Sequence, residues 1–103
     1  MLAIKGLNGP ETVDIYQCPE GKTAVVYIDI YMTMLITTTP NFIEIAIAEW
    51  NNEFNDYDYW TYWRGYTDFV SLGPIWLDSK DKIVGWTSTI GVSANCFVHG
   101  KEF

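Results

Sequence analysis

Residues Thr23–Ile36 read TAVVYIDIYMTMLI. Every second residue from Ala24 onward is apolar: Ala24, Val26, Ile28, Ile30, Met32, Met34 and Ile36. The positions between them, Val25, Tyr27, Asp29, Tyr31, Thr33 and Leu35, are mixed. Successive side chains of a strand point to opposite faces, so this pattern predicts a β-strand with one face in a core. On a helix the same set would scatter around the wheel. Fully burying a Val, Ile or Met side chain is worth ~1.5–3 kcal/mol, while ordering each residue's backbone costs about 1–2 kcal/mol. The strand therefore needs paired neighbours and a second layer over its apolar face. It also exceeds the usual ~5–6 residues, which predicts a bend, a break near Met32–Leu35, or an end that projects beyond the domain.

The rest of the chain offers those neighbours. Met1–Lys5 reads as a short first strand and Leu7–Glu11 as a turn. Val13–Cys18 alternates, with Val13, Ile15 and Gln17 on one side and Asp14, Tyr16 and Cys18 on the other. Pro19-Glu20-Gly21-Lys22 is a tight turn, Pro fixing φ and Gly admitting positive φ. Thr37–Asn41 closes the long strand. Phe42–Phe54 has two readings. As a strand it shows Ile43, Ile45 and Ile47 on one face. As a helix it shows Ile43, Ile47, Trp50 and Phe54 on one stripe, with Asn41 and Glu44 placed as a capping box. The β-branched residues and the surrounding strands favour the strand. Asn51–Asp56 reads as a loop, Tyr57–Trp63 as a strand, Arg64-Gly65 as a turn and Tyr66–Leu72 as a strand. Gly73-Pro74 interrupts before Ile75-Trp76-Leu77, which suits an edge or a bend. Asp78–Asp81 turns, Lys82–Thr87 is a strand, and Ile90–Val98 is the last, with Ile90, Val92, Ala94, Cys96 and Val98 on one face. Seven or eight short strands with turns between them predict an all-β antiparallel sandwich, jelly-roll-like, formed by residues 1–103 as one domain. Residues 1–11 are an N-terminal arm able to add a strand to a neighbour.

Composition narrows the function. The 103 residues carry a formal net charge of −7. The six cations, Lys5, Lys22, Arg64, Lys80, Lys82 and Lys101, are scattered. Nucleic-acid binding rests on clustered Lys and Arg neutralising phosphates, so no nucleic-acid partner is expected. No run approaches the ~18 apolar residues of a membrane helix. The opening MLAIKGLNGP has no secretory pattern, which predicts synthesis in a reducing cytoplasm with free thiols. Cys18 and Cys96 are too few for a disulfide framework, and whether they meet is open at this level.

A hydrolase needs a nucleophile with a base in reach. His99 is the sole histidine, and Cys96, three residues before it, falls on the opposite face of a strand. Cys96 reads as a small core residue and Cys18 as a partly buried thiol. Asp56 and Asp58, with Glu53 nearby, have spacing that Ca²⁺ sites use, but a solvated acidic loop has the same composition. No phosphate loop, zinc spacing or nucleophile elbow is present. The expectation is a protein without catalytic residues, cofactor or metal.

The least ordinary stretch is Trp50–Phe69. Its candidate interface residues are Trp50, Phe54, Tyr57, Tyr59, Trp60, Tyr62, Trp63 and Tyr66. With strict alternation Tyr57, Tyr59 and Trp63 share one face, and Asp58, Trp60 and Tyr62 the other. One core cannot take both faces, so large aromatics are expected at the surface, where they mark interfaces. Three readings compete: contact with other subunits, stacking on sugars, and internal burial by a curled sheet.

Read together, three segments carry a resemblance: Cys18-Pro19-Glu20-Gly21-Lys22-Thr23-Ala24-Val25-Val26, then Trp76-Leu77-Asp78-Ser79-Lys80-Asp81-Lys82-Ile83, then Phe97-Val98-His99-Gly100-Lys101-Glu102. With these the chain resembles small β-sandwich virion proteins of tailed bacteriophages. That group usually has Gly where Ser79 or Lys80 stands here. The resemblance implies a non-enzymatic structural protein of the virion, made in the host cytoplasm. It implies capsid decoration (cement) or a neck, baseplate, tail or tail-fibre role. The implied partners are copies of itself, often as a homotrimer, and other virion proteins such as the major capsid protein. The competing expectation is a carbohydrate-binding, receptor-binding module that uses the aromatic belt.

Overall fold

The computed structural model describes residues 1–34, with only the backbone at Met34, and residues 41–103. The apolar positions expected at 34 and 36, and most of the turn expected after them, lie outside the described residues. The described residues form eight strands: β1 (Ala3–Asn8), β2 (Val13–Gln17), β3 (Ala24–Met34), β4 (Ile43–Asn51), β5 (Asp56–Gly65), β6 (Phe69–Leu77), β7 (Lys82–Thr87) and β8 (Ser93–Glu102). Of the segment with two readings, 42–54, Ile43–Asn51 is strand and residues 52–54 belong to the turn that follows it.

The ladders are all antiparallel, and they follow a simple rule. β1 pairs with β8, β2 with β7, β3 with β6 and β4 with β5. This is one long ribbon folded back on itself. Rolling the ribbon adds two further ladders, β3 with β8 and β4 with β7. Two four-stranded sheets result, ordered β1-β8-β3-β6 and β2-β7-β4-β5. The nesting is that of a jelly roll. The expected N-terminal arm supplies β1 to the chain's own sheet, and Leu7, expected in a turn, is a buried strand residue.

The core lies between the sheets. β3 contributes Ala24, Val26, Ile28 and Ile30, as the alternation predicted. β8 adds Ala94, Cys96 and Val98, and β4 lays Ile43, Ile45 and Ile47 opposite. Cys18 and Cys96 are both free thiols.

Four irregularities depart from strict alternation. On β2 the register shifts between Asp14 and Tyr16, so Ile15 and Tyr16 are both buried. On β6 the shift opposite Val26 and Ile28 inserts Gly73-Pro74, and Leu72 and Ile75 both turn inward. On β5 the shift opposite Ile45 and Ala46 makes Tyr62 the extra residue, and the strand runs on through Arg64-Gly65, where a turn was expected. On β3 the register with β8 shifts between Met32 and Met34. A bulge inserts one residue and reverses the face of all that follow, which pattern reading cannot see. Ile90, expected in the last strand, lies before it and is exposed.

Each end of the roll has a buried polar residue. At one end Thr87 Oγ1 accepts from Gly9 N–H at 2.6 Å and donates to the Val92 carbonyl at 2.7 Å. At the other, Asp81 Oδ1 accepts from Trp50 N–H and Oδ2 from Asp78 N–H, both at 2.9 Å. The Asp81 carbonyl accepts from Cys18 N–H, so one residue ties β4, the turn after β6 and the end of β2. Asp81→Asn replaces one acceptor with an amide donor facing a backbone N–H. A loss of about 1–3 kcal/mol is expected in urea unfolding.

Four groups hold their protons more tightly in the fold. Burial pushes the Cys96 thiol up to about 12. Burial, with the Glu102 carboxylate adding to it, raises Tyr16 and Cys18. The hydrogen bond to Asp14 raises Lys82 against an opposing burial effect. As pH rises the unfolded chain therefore loses protons first, and stability falls. The fall starts near the ordinary thiol value of ~8.5 and continues toward the folded values. Each thiol ionised only on unfolding contributes a slope of ~1.4 kcal/mol per pH unit. Unfolding free energies measured between pH 7 and pH 10.5 check this, and Cys96→Ala removes one proton's share of the slope.

Candidate functional site

Five of the eight belt residues, Tyr57, Tyr59, Trp60, Tyr62 and Trp63, lie on β5, an edge strand with β4 as its one strand neighbour among the described residues; Trp50 is on β4, Phe54 in the turn between them and Tyr66 just past β5. The bulge at Tyr62 sorts its residues differently from strict alternation. Tyr59 and Thr61 pair with Ala48 and Ala46, on the outer face of the sheet. Trp60 pairs with Ile47 and Trp63 with Ile45, so both lie on the inward side, and Trp63 no longer shares a face with Tyr57 and Tyr59.

The eight belt residues then divide by what they touch. Trp50 and Tyr57 face each other across the β4–β5 hairpin, ring centroids 5.1 Å apart at 68°. Both are held from within the chain. Lys80 Nζ stands 4.7 Å over Trp50, and Lys82 Nζ 4.6 Å over Tyr57. Tyr57 O–H donates to the Lys80 carbonyl at 3.1 Å and accepts from Gln17 Nε2 at 3.0 Å. Tyr57 and Trp86 also cover the small residues Ala46, Ala48 and Val84, a second apolar cluster on the outer face. Tyr62 and Trp63 pack against the main core. The exposed members are Phe54 at 71%, Tyr59 at 60%, Tyr66 at 52% and Trp60 at 46%. Trp60 Nε1–H donates to Glu49 at 3.0 Å, which fixes the indole while leaving much of its surface in solvent.

Of the acids near the belt, Asp58 accepts from Asn51 Nδ2 at 3.1 Å and Asp56 from Tyr57 N–H at 2.8 Å. Among the described residues no three His, Cys, Asp or Glu side chains form a metal-holding group.

A second aromatic surface covers the outer face of the β1-β8-β3-β6 sheet, which the sequence reading did not single out. Tyr31 meets Phe69 with ring centroids 4.8 Å apart and Phe97 edge-on at 5.6 Å. Tyr27 stacks on His99 at 5.8 Å. Asp29 is central. Ser71 Oγ donates to its Oδ1 at 2.7 Å, and His99 Nε2 lies 3.2 Å from its Oδ2. Ser, Asp and His thus sit together with the carboxylate in the middle. Activating a serine needs the imidazole between hydroxyl and acid, so this order orients His99 and Ser71 and does not join them. Met1, Tyr31, Asn95, Phe97, His99 and Asp29 line a shallow groove of about 480 Å³ here. The signal was present in the odd residues of the founding strand, Tyr27, Asp29 and Tyr31, once paired with Asn95, Phe97 and His99.

Family models, curated proteins and solved structures were all compared with this chain. None matches.

A second hollow of about 400 Å³ lies beside the Asp81 hub, between Trp50, Trp76, Glu49 and Asp78. The hydrogen bonds of Asp81 there are taken by backbone N–H groups.

Burial separates residues that hold the fold from those free to meet a partner. Trp63→Ser removes a ring packed on the core and is expected to cost about 2–4 kcal/mol, whereas Tyr59→Ser stays within about 1 kcal/mol. Urea midpoints of the two variants measure the difference, and equal losses would place Tyr59 in the core after all.

Proposed function

We propose that this chain is a non-catalytic structural protein of a tailed-bacteriophage virion. It assembles with copies of itself and with other virion proteins, as capsid decoration or as a neck, tail or baseplate component. The observation that carries the reading is the placement of large aromatics outside a core that is already filled. Phe54, Tyr59, Trp60 and Tyr66 sit at one sheet edge, and Tyr31, Phe69 and Trp76 are exposed on the other sheet. Large apolar side chains left exposed in such numbers mark interaction sites.

Three further features support the reading. Lys80 has φ of 72°, a left-handed conformation that favours Gly, and the resembled group usually carries Gly at this turn. The jelly-roll architecture recurs in viral capsid proteins, an analogy of fold alone. The net charge of −7 also complements a basic partner surface.

The test is quantitative mass spectrometry of purified particles of the phage that encodes the chain. A stoichiometry comparable with the major capsid protein means capsid decoration. A much lower one means neck, tail or baseplate. Complete absence sinks the reading.

One observation favours a glycan-binding reading as the alternative. The groove on the β1-β8-β3-β6 face sets Tyr31 and Phe97 rings beside Asp29, Asn95 and His99. Flat rings stack on the apolar face of a sugar while such side chains exchange hydrogen bonds with its hydroxyls. Binding on a broad glycan panel that Tyr31→Ala abolishes supports it; silence across the panel removes it.

A further inference from the structure

Four of the six cations in the chain stand over an aromatic ring. Arg64 lies 3.7 Å over Phe42, Lys80 4.7 Å over Trp50, Lys82 4.6 Å over Tyr57 and Lys101 5.5 Å over Phe103. Ring faces are electron-rich, which is what draws a cation onto them. Among the described residues, Tyr31, Phe69 and Phe97 receive none. Lys101 shares the outer face of β8 with Phe97 and His99 but is turned to Phe103. Lys5 lies opposite Cys96, on the side of its sheet that faces the core, and Lys22 precedes β3.

These rings surround a carboxylate instead. Asp29 lies opposite Phe97 on β8 and Ser71 on β6, and Tyr31 lies opposite Asn95 and Phe69. Directly opposed residues share a face, so Asp29 stands among the rings. Ser71 Oγ and His99 Nε2 take two of its roughly four acceptor sites. Among the described residues no Lys or Arg pairs with it, and His99 balances its charge only when protonated. Its side chain is 29% exposed and opens on the groove with Tyr31 and Phe97.

A negative carboxylate beside electron-rich rings complements a flat cation. A guanidinium is planar, stacks on a ring and turns two N–H groups toward a carboxylate, whereas an ammonium is a strongly hydrated point charge. A neutral sugar would use the same rings but bring no charge to balance Asp29.

We infer that this groove receives an arginine side chain of a partner protein, its guanidinium laid on Tyr31 and Phe97 and hydrogen-bonded to Asp29. This deepens the proposed function by giving the chemistry of the contact, and it rests on that reading for the partner being a virion protein.

The first test titrates the full chain with a capped Gly-Arg-Gly peptide and follows amide chemical shifts. Saturable shifts at Asp29, Tyr31, Asn95, Phe97 and His99 are expected, with a dissociation constant in the millimolar range. The peptide with citrulline in place of arginine has the same shape without the charge. It binds at least about tenfold more weakly, and the lysine peptide at least about threefold. Asp29→Asn keeps an oxygen for Ser71 but loses the charge, and it weakens the arginine peptide at least about tenfold. Tyr31→Leu touches neither bond of Asp29 and weakens it at least about threefold. Equal binding of the arginine and citrulline peptides overturns the inference. So do shifts spread over Glu49, Asp56 and Asp58, which reflect net charge alone, and so does a groove that answers only to glycans or to nothing.

The second test counts copies of the chain in purified particles. With the parent chain present, Asp29→Asn is expected to lower the copy number at least about tenfold. An unchanged number overturns the arginine contact and leaves the virion reading standing. A parent chain absent from particles overturns the virion reading, and the peptide titration then decides the groove alone.

Discussion

Everything in this fold leans on the inward row of β3. Val26, Ile28 and Ile30 are completely or almost completely buried, and their strand is paired on both sides, with β8 and with β6. A strand so paired has most of its backbone groups taken up by its neighbours and one apolar face to cover. The Ile43-Ile45-Ile47 row of β4 belongs to the same buried cluster. Because β4 is likewise central, paired with β5 and β7, two doubly paired strands form the middle of the roll. The other ladders close around them, and the polar residues Thr87 and Asp81 secure the two ends.

The surfaces that carry the functional argument are by-products of how that roll ends. A four-stranded sheet has two edges, and β5 is the edge where aromatic composition and length coincide. The tight contacts around the roll constrain it elsewhere. At Gly100, φ is 149° and a Cβ would lie 2.1 Å from the Val25 carbonyl, so β8 can run this close to β3 only with glycine there. The outer face of the β1-β8-β3-β6 sheet is different in kind. Its Asp29, Ser71 and His99 satisfy one another, so polar groups are set among Tyr31, Phe69 and Phe97 without being left unpaired.

Most strands were legible because their alternation was clean. Val92, Ala94, Cys96 and Val98 are buried as their spacing said, and Lys82–Thr87 is a strand with the expected limits. The belt was legible as composition but not as geometry. Tyr62 takes the bulge position, which moved Trp63 to the inward side and left Tyr59 on the outer one. The second aromatic surface was invisible for another reason. Tyr31, Phe69 and Phe97 come from three strands, and only pairing puts them side by side.

By itself the sequence determined the all-β class, the approximate count of strands, the burial of one face of β3, and the place of Cys96 in the core; Cys18, expected to be partly buried, is fully buried. These follow from local periodicity, which is written residue by residue along the chain. Tertiary structure alone decided the roll, the bulges, the exposed edge and the Asp29 cluster. Each of those depends on which strand lies beside which and in what register. One inserted residue reverses a face, and no local pattern records where the partner strand makes room for it.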